Sequence, residues 1–217
     1  MSLLLMIALA GCKSEAEKAQ DYYESALEFV ESGDIPRARL ELRNALKEQP
    51  THLGARTELA RLNMSDRNFP AAYQNYLRVS EQDPNQLEAQ VNLSRISFLL
   101  NDWEAFERHS AAALKLAADD PATRIVDIAA RYRQSVMAED GPGRNAVVAD
   151  AEKAQADEPD SEILRQILID GYLQDARYEE ALEQIEKAIA FEPKRQQFYM
   201  LKLQTLARIG DEQGLEA

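Results

Sequence analysis

The chain contains one cysteine and two histidines among its 217 residues, too few to build a metal centre or a disulfide framework. A lone thiol has no internal partner, and a zinc site or an iron–sulfur cluster needs several thiolate or imidazole ligands. His52 and His109 are far apart in the sequence and lie outside any HExxH pattern. We therefore expect no metal and no cofactor, and we interpret both histidines as surface or inter-helix residues.

Basic charge and long apolar runs are also scarce. The 38 acidic side chains outnumber the 25 basic ones, which gives a net charge of −13. An acidic surface repels phosphate backbones and anionic lipid headgroups, so nucleic acid is excluded as a partner and membrane association needs another cause. No apolar run reaches the roughly 18 residues of a membrane-spanning helix. The 45% apolar content nevertheless indicates a folded protein and not a disordered acidic tail.

Signatures of catalysis are missing as well. Ser, His and Asp all occur, but no nucleophile elbow surrounds them. Residues 141–146, GPGRNA, mimic a dinucleotide-binding loop, yet they follow a helical pattern and not a strand, and they include a proline. The sequence therefore predicts a protein that is not an enzyme and that has no small-molecule substrate.

The first 12 residues, MSLLLMIALAGC, form a short apolar segment that ends in small residues and the single cysteine. The segment is too short to cross a bilayer and has the size of a signal-peptide apolar region, although no Lys or Arg precedes it. Its last four residues, Leu9-Ala10-Gly11-Cys12, resemble the lipobox of bacterial lipoproteins. In that family a peptidase cuts before the cysteine, which then carries the acyl chains that anchor the protein to a membrane.

This resemblance implies lipidation at Cys12 and a place in the bacterial cell envelope, facing the periplasm. The next residue is Lys13 and not the aspartate that resembles an inner-membrane retention signal, so we expect the outer membrane in preference to the inner one. The alternatives are an ordinary secretory signal and a buried free cysteine.

The rest of the chain repeats itself at intervals of 34 residues. Three pairs of prolines have this spacing: Pro36 and Pro70, Pro50 and Pro84, Pro159 and Pro193. With only eight prolines in the chain, chance is a poor explanation for three such pairs. The sequence therefore places equivalent residues in equivalent environments, as repeat proteins do.

Each repeat carries a helical pattern. Ile35, Ala38, Leu42 and Ala45 recur at three- and four-residue steps, which places them on one face of a helix. Asp34 stands where an N-cap belongs, directly before this helix. No segment alternates apolar and polar residues for long enough to form a strand, so the sequence predicts an all-α fold.

These 34-residue helix–turn–helix units resemble the tetratricopeptide repeat family. The residues that match its turn, helix-contact and closing positions are Gly33, Ala38, Ala45 and Pro50 in the first unit, and Tyr172, Tyr178, Ala181, Ala188 and Pro193 in the fifth. The resemblance implies a right-handed α-solenoid over residues 19–217, after the signal peptide at 1–12 and a short tether at 13–18. We assign its units to 19–52, 53–86, 87–121, 122–161, 162–195 and, in part, 196–217.

Three units depart from the pattern. Phe106 replaces a small helix-contact residue in the third, which brings the local distance between the helices into question. Residues 138–144 lengthen the fourth, and we predict the longest loop of the chain there. The sixth lacks a second helix, so we expect the natural protein to continue beyond residue 217, the alternative being that the last helix is itself the cap.

The resemblance also implies that the first helix of each unit lines a concave groove that holds a peptide or a helix of a partner. The candidate groove residues are Tyr23, Leu27, Arg61, Met64, Arg95, Phe98 and Arg133. Arginine gives forked hydrogen bonds to carboxylates, so a carboxylate or an acidic peptide would suit this groove. In the alternative interpretation, Arg61 and Arg95 pair with glutamates of the protein such as Glu58 and Glu88.

We therefore predict a lipid-anchored scaffold that binds another protein. Residues 38–46, ARLELRNAL, resemble a stretch of repeat-bearing lipoproteins of exopolysaccharide export and protein sorting, and accessory lipoproteins of pilus or outer-membrane assembly are a second candidate. The competing hypotheses are a recruitment or oligomerisation module of a longer enzyme whose catalytic domain lies beyond residue 217, and a homo-oligomer that covers the last helix.

Overall fold

A computed structural model describes residues 13–210, which form 11 α-helices, one short 3₁₀ helix and no strand within that range. The helices are α1 (Glu15–Glu31), α2 (Ile35–Glu48), α3 (Leu53–Ser65), α4 (Phe69–Gln82), α5 (Leu87–Leu99), α6 (Trp103–Ala117), α7 (Arg124–Met137), α8 (Gly141–Asp157), α9 (Glu162–Gln174), α10 (Tyr178–Phe191) and α11 (Gln196–Ile209). The 3₁₀ helix spans Pro121–Thr123. The predicted all-α fold of helix–turn–helix units is therefore confirmed.

Helices α1–α10 form five successive pairs, and α11 follows as a single helix. The chain divides into two compact units, Met1–Ala89 and Gln90–Ala217. From here on, "the first unit" and "the second unit" mean these two parts of the chain, and the 34-residue segments are called repeats. The proposed lipobox and residues 211–217 lie outside the described residues. Two predictions, lipidation at Cys12 and the continuation beyond residue 217, are therefore not addressed by the structure.

The turn within each pair has three residues and a recurring geometry. In the first four pairs its last residue caps the second helix: Asp34, Asn68, Asp102 and Asp140 each accept a hydrogen bond from a backbone N–H of the first helical turn. The middle residue of each turn, and the residue that ends α11, has a positive φ: Gly33, Arg67, Asn101, Glu139, Ala176 and Gly210. Only two of these are glycine, the residue that tolerates this conformation without strain.

Two predictions about local structure are wrong. Residues 15–18 are not a tether, because α1 begins at Glu15 with a capping box in which Ser14 and Glu17 bond to each other's backbone N–H groups. The fourth repeat has no long loop, because Gly141 already belongs to α8 and the turn before it is as short as the others. Asp140 accepts from the Gly143 N–H, and a proline in the first turn of α8 needs no hydrogen-bond donor of its own. The additional residues lengthen α8 to 17 residues.

Small residues allow the paired helices to approach closely. Ala38 and Ala45 on α2 are fully buried, as are Ala26 on α1 and Ala55 on α3, and they pack in one cluster with Leu42. The predicted helix-contact alanines of the fifth pair, Ala181 and Ala188, are likewise buried. Close helix packing of this kind is what the repeat pattern predicts.

The third pair replaces this small-residue contact with aromatic packing. Phe106 is 1% exposed and meets Phe98 edge-on, with ring centres 5.3 Å apart. Trp103 also packs edge-on against Phe98, at 5.7 Å. These rings belong to the core of the second unit, which extends through Ile128 to Leu168. A bulky residue is therefore accommodated at this helix contact by two aromatic neighbours.

Candidate protein-binding site

The candidate groove residues fall into both units. Tyr23, Leu27, Arg61 and Met64 belong to the first, and Arg95, Phe98 and Arg133 to the second.

In the first unit, Tyr23 is a packing residue more than a surface residue. Its ring is half-buried and lies 4.9 Å from the ring of His52, between ring centres. A methyl group at Gly54 would come within 2.9 Å of the same ring, so α1 and α3 pack closely here. Leu27 and Met64 are also half-buried. These side chains present only part of their surface to a ligand.

Arg61 forms a complete set of ion pairs inside the first unit. Its Nε and Nη2 donate to the two carboxylate oxygens of Glu88, at 2.7 and 2.5 Å, and its Nη1 donates to Glu58 at 2.9 Å. The Tyr76 hydroxyl donates to the same Glu88 at 3.2 Å. Hydrogen bonding to Glu88 raises the pKa of Arg61 above its usual value. Arg61 is thus paired within the protein, as in the alternative interpretation of the sequence, and has little left to offer a partner.

Arg61, Arg95 and Arg133 occupy one recurring position. Each lies six residues before the positive-φ residue of its own repeat, and the same position holds Leu27 in the first repeat and Asp170 in the fifth. The sequence interval of 34 relates only the first two arginines. Arg133 joins them because the turns of the third and fourth repeats are 38 residues apart.

The carboxylate partners of Arg61 are not repeated with it. The residues at the positions equivalent to Glu58 and Glu88 are Asn92 and Val126 for Arg95, and Ala130 and Ile163 for Arg133. Within residues 13–210, neither Arg95 nor Arg133 has an ion pair. The guanidinium carbon of Arg133 lies instead 4.4 Å from the centre of the Trp103 ring, and its Nε is buried without a hydrogen-bond acceptor.

A cavity of about 460 Å³ opens beside Arg133 in the second unit. Most of its wall comes from the first helices of the pairs, including Leu99, Arg133, Val136, Arg165, Asp170 and Phe198. Trp103 and Phe191 add aromatic surface from α6 and α10. The volume lies within the range of about 300–1,000 Å³ that is typical of ligand sites.

Phe98 takes part in this site differently from the sequence prediction. It is 3% exposed and belongs to the core, so it cannot act as a free groove residue. It reaches a ligand only as part of the floor of the cavity.

Charged groups around the cavity are mostly engaged already. The Tyr132 hydroxyl donates to Asp170. Burial is the main cause that raises the pKa of Tyr132, and the hydrogen bond to Asp170 is the second. Arg195 donates to Glu192 at 3.2 Å. Arg165 is 6% exposed and donates to the Pro159 carbonyl at 3.0 Å.

The bond of Arg165 is a feature of the repeats and not of the cavity alone. Six residues after the equivalent prolines, Arg56 donates to the Pro50 carbonyl and the Tyr199 hydroxyl donates to the Pro193 carbonyl. Arg165 thus uses one donor for the backbone, and its Nε is buried without an acceptor. Arg133, which is more exposed than Arg165, forms no hydrogen bond within residues 13–210.

Trp103, Arg165, Phe191 and Phe198 were not among the predicted site residues. The resemblance directs attention to first helices, whereas Trp103 begins a second helix and Phe191 ends one. A signal was present for Trp103, because it is the only tryptophan of the chain and directly follows a capping aspartate.

Neither histidine lies at a catalytic or metal-binding constellation. His52 accepts from the Ala55 N–H and caps α3. His109 is buried and contacts Gln90 through Nδ1 at 2.8 Å, and burial lowers the pKa of His109 to about 4. Among residues 13–210, no group of three or more His, Cys, Asp and Glu side chains is placed to hold a metal ion. Nor is any helix in that range both long and apolar enough to cross a membrane.

Comparison with known proteins supports the repeat assignment. Residues 23–86 match the tetratricopeptide repeat family, and no curated protein matches the chain. A tetratricopeptide repeat protein from Parabacteroides merdae is similar in structure, with 15% identity, a TM-score of 0.52, and coverage of 89% of this chain and 74% of that chain. The prediction that the chain carries tetratricopeptide repeats in an all-α solenoid is therefore confirmed.

Two further structures of known proteins are similar over most of the chain. PilW, described as a widely conserved type IV pilus biogenesis factor, shares 15% identity at a TM-score of 0.56, over 91% of this chain and 89% of its own. PilF of Pseudomonas aeruginosa shares 14% identity at a TM-score of 0.52, over 94% of this chain and 90% of its own. Likeness at this level of identity establishes the fold and no more.

Proposed function

We propose that the protein is a non-catalytic scaffold of the bacterial cell envelope that binds a peptide or a helix of another protein. The observation that carries this proposal is the cavity of the second unit. Its wall is built by successive first helices, and it combines aromatic surface with an arginine that has no ion pair in residues 13–210. Aromatic and arginine side chains are the groups that most often dominate protein–protein binding.

Envelope attachment is a second part of the proposal. Acyl chains on Cys12 supply the membrane affinity that a net charge of −13 does not. The setting that we favour is the assembly of an envelope structure. The likeness to PilW, which is described as a type IV pilus biogenesis factor, supports pilus assembly as a candidate, and exopolysaccharide export rests on residues 38–46 alone.

Photo-crosslinking in the native envelope tests the scaffold. Val136 borders the cavity and is 36% exposed, so benzoylphenylalanine at this position is expected to crosslink one specific protein. The matched control is the same residue at Leu40, which is 54% exposed and lies in the first unit. The absence of a product specific to position 136 would argue against the cavity as the binding site.

Metabolic labelling with an alkyne fatty acid tests the anchor. The wild-type protein is expected to be labelled and to sediment with membranes, whereas Cys12→Ser is expected to do neither. Equal labelling of both proteins would refute the lipoprotein assignment and leave the scaffold proposal standing.

A further inference from the structure

The second repeat shows what an arginine at the recurring position binds. Arg61 holds Glu88 with two parallel hydrogen bonds, and Glu58 takes the remaining side of the guanidinium. Such forked pairs are both strong and geometrically specific. The position therefore presents an arginine in a way that suits a carboxylate.

The third and fourth repeats keep the arginine without these carboxylates. The equivalents of Glu58 and Glu88 are neutral at both places, and Arg95 and Arg133 have no ion pair within residues 13–210. Other arginines of the same unit, Arg131, Arg144 and Arg177, are paired with aspartate or glutamate.

The packing of Arg133 leaves part of its guanidinium available. One face lies over Trp103 and Nε is buried, so the two Nη groups are the donors that remain for a ligand. Arg133 borders the cavity, whose neighbouring apolar surface comes from Trp103, Leu99 and Val136. Arg95 lies one helical turn before Leu99 on α5.

We propose that the second unit binds a partner segment that carries two carboxylates and a large apolar side chain between them. One carboxylate pairs with Arg95 and the other with Arg133, and the apolar side chain enters the cavity beside Trp103. The inference rests on the proposed function and adds to it the place and the chemistry of the ligand.

Helix geometry gives the spacing of the two carboxylates. Successive repeats of a solenoid stack on one another, and Phe98 on α5 and Ile128 on α7 belong to one core cluster. Packed helices lie ~8–10 Å apart, which an extended chain covers in about three residues. The expected ligand pattern is an acidic residue, two residues of which one is large and apolar, and a second acidic residue. Asp170 follows at the recurring position, so a third carboxylate would be repelled.

Three short peptides test the inference on the whole purified protein. The first is acetyl-Ala-Glu-Leu-Phe-Glu-Ala-amide, the second replaces both Glu by Gln, and the third replaces Leu-Phe by Ala-Ala. None contains tryptophan, so the emission of Trp103, the only tryptophan of the protein, reports on the cavity directly. We expect the first peptide to give a saturable change with a Kd of ~10–100 μM, and the other two to bind at least about tenfold more weakly.

Variants assign the effect to the two arginines. Arg95→Gln with Arg133→Gln is expected to reduce the preference for the Glu peptide over the Gln peptide to about onefold, while Arg133→Lys keeps part of it because the charge remains. Arg43→Gln, an exposed arginine on α2 of the first unit, is the matched control and is expected to bind like wild type. Circular dichroism and thermal unfolding establish that each variant is folded.

Specific outcomes overturn the inference. Equal binding of the Glu and Gln peptides, no saturable change up to ~1 mM, or an unchanged preference in the folded double variant would each refute it. If the photo-crosslinked partner is still captured by the double variant, the scaffold proposal stands and only the carboxylate inference fails. If the peptides bind as expected and no envelope protein is crosslinked, the carboxylate inference stands and the scaffold proposal fails.

Discussion

The guanidinium of Arg133 and the indole of Trp103 form a cation–π pair, with 4.4 Å between the guanidinium carbon and the ring centre. Trp103 begins α6 of the third repeat, and Arg133 lies on α7 of the fourth. Both side chains line the cavity. Arg133 has no carboxylate partner within residues 13–210, so the contact with the Trp103 ring is the interaction that holds its guanidinium in place.

Removing this pair should cost a small amount of stability. We expect Arg133→Met to lower the free energy of unfolding by about 0.5–1 kcal/mol and to shift the emission of Trp103 to longer wavelength. Urea unfolding followed by tryptophan fluorescence measures both. Arg43→Met removes the same charge elsewhere and should leave both quantities unchanged. An Arg133→Met protein as stable as wild type would mean that the pair adds nothing to folding.

The middle position of the turns offers a gain in stability. Ala176 has a φ of 56°, a conformation that costs a non-glycine residue about 1–2 kcal/mol. We expect Ala176→Gly to stabilise the protein by about 0.5–1 kcal/mol, because relief of this strain exceeds the added freedom of the unfolded chain. The reverse change at the equivalent turn, Gly33→Ala, should destabilise it. Thermal unfolding with opposite signs for the two variants is the expected result, and a loss of stability in both would contradict it.

Gly171 marks a close approach between α9 and α8. A Cβ atom at this position would overlap the side chain of Val148, which is 2% exposed and cannot move into solvent. We expect Gly171→Ala to cost about 1–3 kcal/mol of unfolding free energy. Gly141→Ala is the control, since no atom lies within 4 Å of a Cβ there.

A double variant distinguishes overlap from a loss of backbone freedom. Val148→Ala makes room, so Gly171→Ala should cost less in that background than in the wild type. Strictly additive effects of the two substitutions would show that the contact is not the cause.

Stability should also depend on pH through His109. Burial, with a smaller effect of Arg108, holds the pKa of His109 at about 4 in the folded protein, below its usual value of 6.5. The unfolded chain therefore takes up a proton that the folded one does not as the pH falls from about 6.5 towards 4, and stability decreases over that interval.

The size of this effect can be measured against a variant that does not titrate. Between pH 7.5 and 5.5 we expect a loss of about 1 kcal/mol in the wild type that is absent in His109→Gln. Fluorescence of Trp103, on the same helix, follows the unfolding of the second unit. Parallel pH profiles for the two proteins would contradict the prediction.

The repeats and their helices could be predicted because the pattern of small residues and prolines is local. The interval between Pro36 and Pro70 and the buried Ala38 and Ala45 correspond directly to helix starts and helix contacts in the structure. The loop predicted at 138–144 failed for a local reason as well. Glycine and proline suggest a loop by composition, but the cap at Asp140 lets them form the first turn of α8.

The site was predictable only in part because it depends on contacts between repeats. The periodicity placed Phe98 on a groove, whereas the rings of Trp103 and Phe106 bury it. The sequence offered the pairing of Arg61 with glutamates only as one alternative, and the structure shows the ion pairs with Glu58 and Glu88. Arg133 could not be related to Arg61 and Arg95 at a fixed interval of 34, since the register changes between the third and fourth repeats.

The Glu88 carboxylate occupies the place beside Arg61 that a ligand carboxylate would take. Glu88 shows how a carboxylate is seated at this position of the repeat, with two bonds from the guanidinium and a third from the Tyr76 hydroxyl. The geometry of this internal pair is therefore a guide to how a ligand carboxylate would bind an arginine at the same position in other repeats. A designed ligand for the second unit can begin from the placement of this one side chain.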